Sequence, residues 1–169
     1  MSSDSRRLSG SDAQAFHDLR LQGLAYYPSE FGAAYEEEMG RPIEEVAQQL
    51  EAGFVFGAVL ENRLCAIAGF RRFEAMKKRH KGKLFGVYVD KAARGRGLAE
   101  SLLRHLIVEA ADVCELLLAT VACSNLRAKA LYAKVGFEIY GHERFAHKVG
   151  DSYVDQDHLM LLLNPPGGR

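Results

Sequence analysis

Val87-Tyr88-Val89-Asp90-Lys91-Ala92-Ala93-Arg94-Gly95-Arg96-Gly97-Leu98-Ala99 is the stretch on which the fold turns. A β-rich run enters a turn dense in Gly and Arg. Leu98, Leu102, Leu106 and Ala110 then recur every fourth residue, which predicts a helix over residues 95–112. The first N–H groups of a helix have no partner inside it and lie at the positive end of its dipole. Glycines let a phosphate come close to them, and the small Ala99 keeps the first turn open. Arg94 and Arg96 add charge-assisted donors. A pyrophosphate fits such a turn. Two other phosphate motifs do not: Glu100 stands where the dinucleotide fingerprint needs its third glycine, and no G-x-x-x-x-G-K-[ST] run occurs. A G-x-G alone is equally an ordinary turn with solvated arginines.

Working outward, β-rich runs at 54–60 and 64–73 are split by Glu61-Asn62-Arg63, a hairpin turn, and a third strand is predicted at 84–90. Upstream, helices are predicted from Ser11, where Ser11 and Gln14 have capping-box spacing, around Tyr35, and over 43–51 with Pro42 as the first residue. Downstream come a buried-looking strand at 116–122, a helix opened by Asn125 and ended by Gly136, and strands at 137–140 and 154–163. This order implies a mixed α/β (α+β) sheet flanked by helices, not a bundle or a sandwich. One domain over 5–164 is expected, with 1–4 and 165–169 as flexible ends.

Composition narrows the function classes. The 169 residues carry 22 Lys+Arg against 22 Asp+Glu, and 48% are hydrophobic, so the chain is globular rather than disordered. Zero net charge removes the simplest argument for a nucleic-acid or membrane-surface partner. Cys65, Cys114 and Cys123 form no C-x-x-C pair, and the histidines show no H-x-x-x-H spacing, so neither a disulfide framework nor a metal is expected. Cys123 reads as a packing residue. The polar N-terminus and the short apolar run at 116–123 make a cytoplasmic protein with no membrane partner the expectation.

The second informative segment is Asn125-Leu126-Arg127-Ala128-Lys129-Ala130-Leu131-Tyr132-Ala133-Lys134-Val135-Gly136-Phe137. Asn125 and Tyr132 are seven apart and share a helix face. Together the two segments resemble the GNAT superfamily of acetyl-CoA-dependent N-acetyltransferases. Arg94 through Ala99 matches its pyrophosphate signature Q/R-x-x-G-x-G/A, and Asn125, Ala128, Leu131, Tyr132, Gly136 and Phe137 match its later helix. The element order agrees from about Ser5 to Leu163. The stretches around Glu30-Phe31-Gly32 and Tyr153-Val154-Asp155 are similar to a broad, mostly uncharacterised bacterial branch that names no substrate.

The resemblance implies a mostly antiparallel, twisted sheet with acetyl-CoA in the cleft between two diverging central strands. The cofactor-binding residues it implies are Val87, Tyr88 and Val89 along the pantetheine arm, Arg94, Gly95, Arg96, Gly97, Leu98 and Ala99 at the pyrophosphate, and Asn125. Tyr132 is the implied general acid for the departing thiolate. The acceptor is a small-molecule or peptide amine that attacks the thioester directly, and family members often pair as homodimers. Two departures stand out. Lys83 occupies the position where many members carry a base glutamate, and Lys91 replaces a frequent proline. Glu36, Glu37, Glu74 and His158 are the other base candidates. The missing glutamate leaves open a non-catalytic acyl-CoA-binding module. Arg71, Arg72, Lys77, Lys78, Arg79, Lys81 and Lys83, against the one acid Glu74, leave open a nucleic-acid patch.

Overall fold

The computed structural model describes residues 4–164. Its strands are β1 (Asp4–Arg7), β2 (Phe54–Leu60), β3 (Arg63–Arg72), β4 (Lys81–Val89), β5 (Leu116–Ala122), β6 (Glu138–Val149) and β7 (Ser152–Leu162). The helices are α1 (Ala13–Tyr26), α2 (Tyr35–Glu38), α3 (Ile43–Ala52), α4 (Leu98–Ala111) and α5 (Leu126–Lys134). One seven-stranded sheet runs in the order β1-β2-β3-β4-β5-β7-β6. Every pairing is antiparallel except β4 with β5.

The alternation of side chains along β2 and β3 builds a core on each face of the sheet. Phe56, Ala58, Ala66, Ala68 and Phe70 join Leu102, Leu103 and Leu106 of α4 on one face. Val55 and Ile67 point the other way and meet Phe16 and Leu19 of α1 with Val46 and Leu50 of α3. Each of these fully buried large side chains contributes about 1.5–3 kcal/mol. Both layers fix β4 from behind, which leaves its other edge for the site.

That edge opens because β4 and β5 part company. They share only the pairs Lys81↔Leu116, Gly82↔Leu117 and Lys83↔Leu118. Beyond Lys83 the two strands diverge. On its other side β4 carries one extra residue between Phe85 and Tyr88, which lie opposite Gly69 and Ile67. Gly86 occupies this bulge at φ +65°, a left-handed conformation that glycine accepts without penalty. A bulge bends and twists its strand. The bend lies where the strands separate.

Several boundaries differ from the sequence reading. Residue 4, expected in a flexible end, begins β1 and pairs with Val59; residues 1–3 and 165–169 lie outside the described residues. α4 starts at Leu98, not 95, because Gly95 and Gly97 have φ +79° and +73° and cannot be helical. A 3₁₀ turn, Gly10–Asp12, precedes α1, and Ser9 N–H donates to Asp12 Oδ2 in place of the expected Ser11–Gln14 box. Pro42 is the N-cap of α3 and not its first residue. β6 is far longer than 137–140: as an edge strand exposed on both faces, it lacks the apolar alternation that marks a strand.

Candidate active site

The gap between β4 and β5 forms a cleft of about 1020 Å³, walled by both strands, the first turns of α4 and α5, the loop after α1, and β6–β7. Val87 and Val89 border it, so the backbone of β4 past Lys83 faces the cleft instead of a neighbouring strand. Tyr88 borders it as well. Its ring is buried against Tyr27 and Phe31, with centroids 6.2 and 6.3 Å away.

The turn between β4 and α4 is held from below. Asp90 accepts from Ala92 N–H at 3.0 Å and from Arg63 at 2.6 Å. The Ala92 N–H holds its carboxyl below the usual range, burial opposes this, and the Arg63 guanidinium reinforces it. Gly95 and Gly97 need their left-handed backbone, and a Cβ built on either meets nothing within 4 Å. The space before them is open. The one acid of the first turn, Glu100, is neutralised by Arg104 at 3.0 Å and by Lys134. The residues therefore fit an anionic group such as a pyrophosphate. Leu98 anchors the helix in the core and Ala99 borders the cleft.

The two arginines divide. Arg94 lines the cleft, yet its Nε donates to Val89 O at 3.2 Å and its Nη1 to the Tyr27 hydroxyl at 2.8 Å. It braces the turn first and has only its remaining N–H groups to offer. Arg96 is exposed, beside the mouth of the glycine turn and outside the lining of the cleft.

Across the cleft, Asn125 Oδ1 accepts from Ala128 N–H at 3.0 Å and caps α5. Two turns on, Tyr132 reaches the cleft, 7% exposed, with its ring edge-on to Phe137 at 5.6 Å. Burial pushes its hydroxyl well above the ordinary tyrosine range, so it stays protonated at all physiological pH values.

The base candidates separate as well. Glu74 lies in an exposed loop, and neither it nor Glu36 borders the cleft. Glu37 and His158 do, and so does Lys83, exposed at the last β4–β5 pair. His158 Nε2 lies 2.8 Å from Glu143 Oε2, and His158 is the register partner of Thr120 on β5. Glu38 also borders the cleft. Burial works to raise its carboxyl, but Arg20 and Arg41 overcome this and hold it below the usual range. Sequence reasoning missed Glu30, Glu143, His147 and Gln156, which all line the cleft. Burial raises the Glu30 carboxyl against the pull of Arg94 and Arg127. These residues have no periodic or motif signal, because three separate segments bring them together.

The sheet thus splits along its one parallel pair, beside a glycine turn that opens a helix. The family model for the acetyltransferase (GNAT) family matches residues 20–137, and the chain belongs to that family. Among curated proteins, none matches the chain by sequence. Solved structures resemble it closely in fold. An acetyltransferase of the GNAT family from Streptococcus pneumoniae aligns with TM-score 0.81 at 21% identity, covering 95% of this chain and 99% of that one. The yncA protein of Salmonella typhimurium, solved with its cofactor acetyl-CoA, aligns with TM-score 0.83 at 18% identity over 100% and 98%. A ribosomal-protein-alanine N-acetyltransferase from Brucella melitensis gives 0.79 at 22% identity over 94% and 99%. No helix among the described residues is long and apolar enough to cross a membrane.

Proposed function

We propose that the chain works as one transferase domain over residues 5–164, moving the acetyl group of acetyl-CoA to a primary amine by direct attack in a ternary complex. The observation that carries this is the separation of β4 from β5 past Lys83↔Leu118, with an open helix N-terminus at one side and Tyr132 at the other. The backbone along Val87 to Val89 holds the pantetheine arm as an added strand would, and one of its N–H groups polarises the thioester carbonyl. The N–H groups at Gly97, Leu98 and Ala99 bind the pyrophosphate, assisted by the turn at Gly95. Asn125 keeps α5 in place beside the arm. Tyr132 gives its proton to the leaving thiolate.

The amine must lose a proton before or as it attacks. With a pKa of ~10 it is only ~0.1% neutral at pH 7, a cost of roughly 4 kcal/mol. His158, steadied by Glu143, takes that proton, and Glu37 also borders the cleft as a carboxylate that could meet a cationic amine. Acetyl-CoA turnover against a panel of polyamines, amino-acid amides and N-terminal peptides, read as free thiol, tests this. Release of CoA that depends on an amine supports the reading. The second reading, a CoA-binding module without turnover, rests on Lys83; tight CoA binding with no thiol release on any amine would favour it.

A further inference from the structure

We propose that Cys123, His142 and Asp157 form a binding site for Zn²⁺, separate from the transferase cleft and independent of the reading above. Cys123 follows β5, His142 lies on β6 and Asp157 on β7, with His142 and Asp157 directly opposite in register. Along β7, Gln156 and His158 face the cleft, so Asp157 between them projects from the other face of the sheet. The site sits there beneath the first turns of α5.

The geometry is that of one face of a tetrahedron. Cys123 Sγ lies 3.4 Å from His142 Nδ1 and 3.3 Å from Asp157 Oδ1, and Nδ1 lies 3.1 Å from Oδ1. Tetrahedral zinc with bonds of about 2.3 Å to sulfur and about 2.0 Å to nitrogen and oxygen requires ligand separations of about 3.5, 3.5 and 3.3 Å. The three donors are thus within about 0.2 Å of a coordinating arrangement before any metal arrives.

Outer contacts flank the carboxylate and the imidazole. Lys129 Nζ takes the other oxygen of Asp157 at 2.6 Å, which turns Oδ1 toward the thiol and imidazole. Asp155 Oδ1 accepts from Phe145 N–H at 2.8 Å, leaving its Oδ2 3.8 Å from His142 Nε2. Metal binding would replace the Nδ1–Asp157 contact, with the ring proton on Nε2, on the side of Asp155, and the Nδ1 lone pair given to the ion. A thiolate, an imidazole and a carboxylate together select zinc over the oxygen-seeking Mg²⁺ and Ca²⁺. Cys65 and Cys114 are buried and do not compete. The His142 side chain is 50% exposed, which gives the ion a way in and leaves the fourth position to water. Binding releases the Cys123 proton to solvent, because the thiolate is the ligand. The metal then carries one thiolate and one carboxylate, balancing its charge.

Untagged, metal-stripped protein titrated with Zn²⁺ against a chromophoric chelator provides the test, with Co²⁺ as a spectroscopic probe. The expected result is one equivalent bound, with a thiolate-to-cobalt charge-transfer band that Cys123→Ser abolishes. Zinc affinity falls at least tenfold in both Cys123→Ser and His142→Ala. His142 is exposed, so His142→Ala keeps the fold even if the cysteine variant does not. Absence of a charge-transfer band, or zinc affinity unchanged in either variant, overturns the proposal.

Discussion

After β4 the chain turns through residues 90–97 into α4; after β5 it turns through residues 123–125 into α5. Both are strand-to-helix turns beside the same cleft, yet their helix ends are finished in opposite ways. α4 begins at Gly97, which has no side chain and sits at φ +73°, so nothing of its own caps the helix. α5 begins at Asn125, whose side chain accepts from Ala128 N–H. An uncapped end offers its N–H groups to an anion. A capped one spends them on itself and gains rigidity, which here fixes Tyr132 two turns downstream. In this account one turn binds and the other positions.

The comparison breaks most visibly at Tyr132. Tyr132→Phe is expected to lower kcat by about 10²–10⁴-fold, the usual range for losing a general acid, while the Kd for CoA measured by calorimetry stays within about twofold. If kcat and Kd fall together, Tyr132 is a binding residue and α5 has no separate role. Next comes Gly97→Glu, which sets a side chain and a negative charge where the pyrophosphate belongs. CoA affinity should weaken about 10- to 100-fold, or about 1.4–2.8 kcal/mol. An unchanged Kd would remove the pyrophosphate from this turn.

Asn125→Ala sharpens the contrast from the other side. It should cost about 1 kcal/mol of stability, the ordinary worth of an N-cap, seen as a lower urea midpoint with CoA affinity nearly kept. The smallest effect is a pH dependence. Asp90 has a folded pKa below its unfolded value, so its contribution is fully present above about pH 4 and is lost as pH falls through the lower folded value. Asp90→Asn should flatten the acid limb of the curve of melting temperature against pH. The same slope in both proteins would mean that Asp90 does not brace the turn.

What was legible in the sequence followed from local patterns. The glycine turn, the Asn125 cap and the Tyr132 face are fixed by neighbours within a few residues, and each stands where its spacing implied. The split of the sheet was read from family resemblance, but its mechanical partner, the bulge at Gly86, depends on register with β3 and leaves no local mark. Arg94 shows the same limit. Its donors go to Val89 and to Tyr27, a residue far away in sequence, so a motif that marked it for phosphate could not show that it is already engaged. Cys123 was read as packing, yet it is half-buried among His142 and Asp157. Side chains brought together from two strands and the turn after a third have no spacing to detect.

The claim at the centre of this account is that the uncapped end of α4 binds the cosubstrate, and a titration of ¹⁵N-labelled protein with CoA tests it most directly. The amides of Gly95, Gly97, Leu98 and Ala99 are predicted to shift most, with those of Val87 and Val89 following and Ala128 moving little. Shifts centred on the first turn of α5, or on β6 and β7, with the α4 amides unmoved, would contradict it.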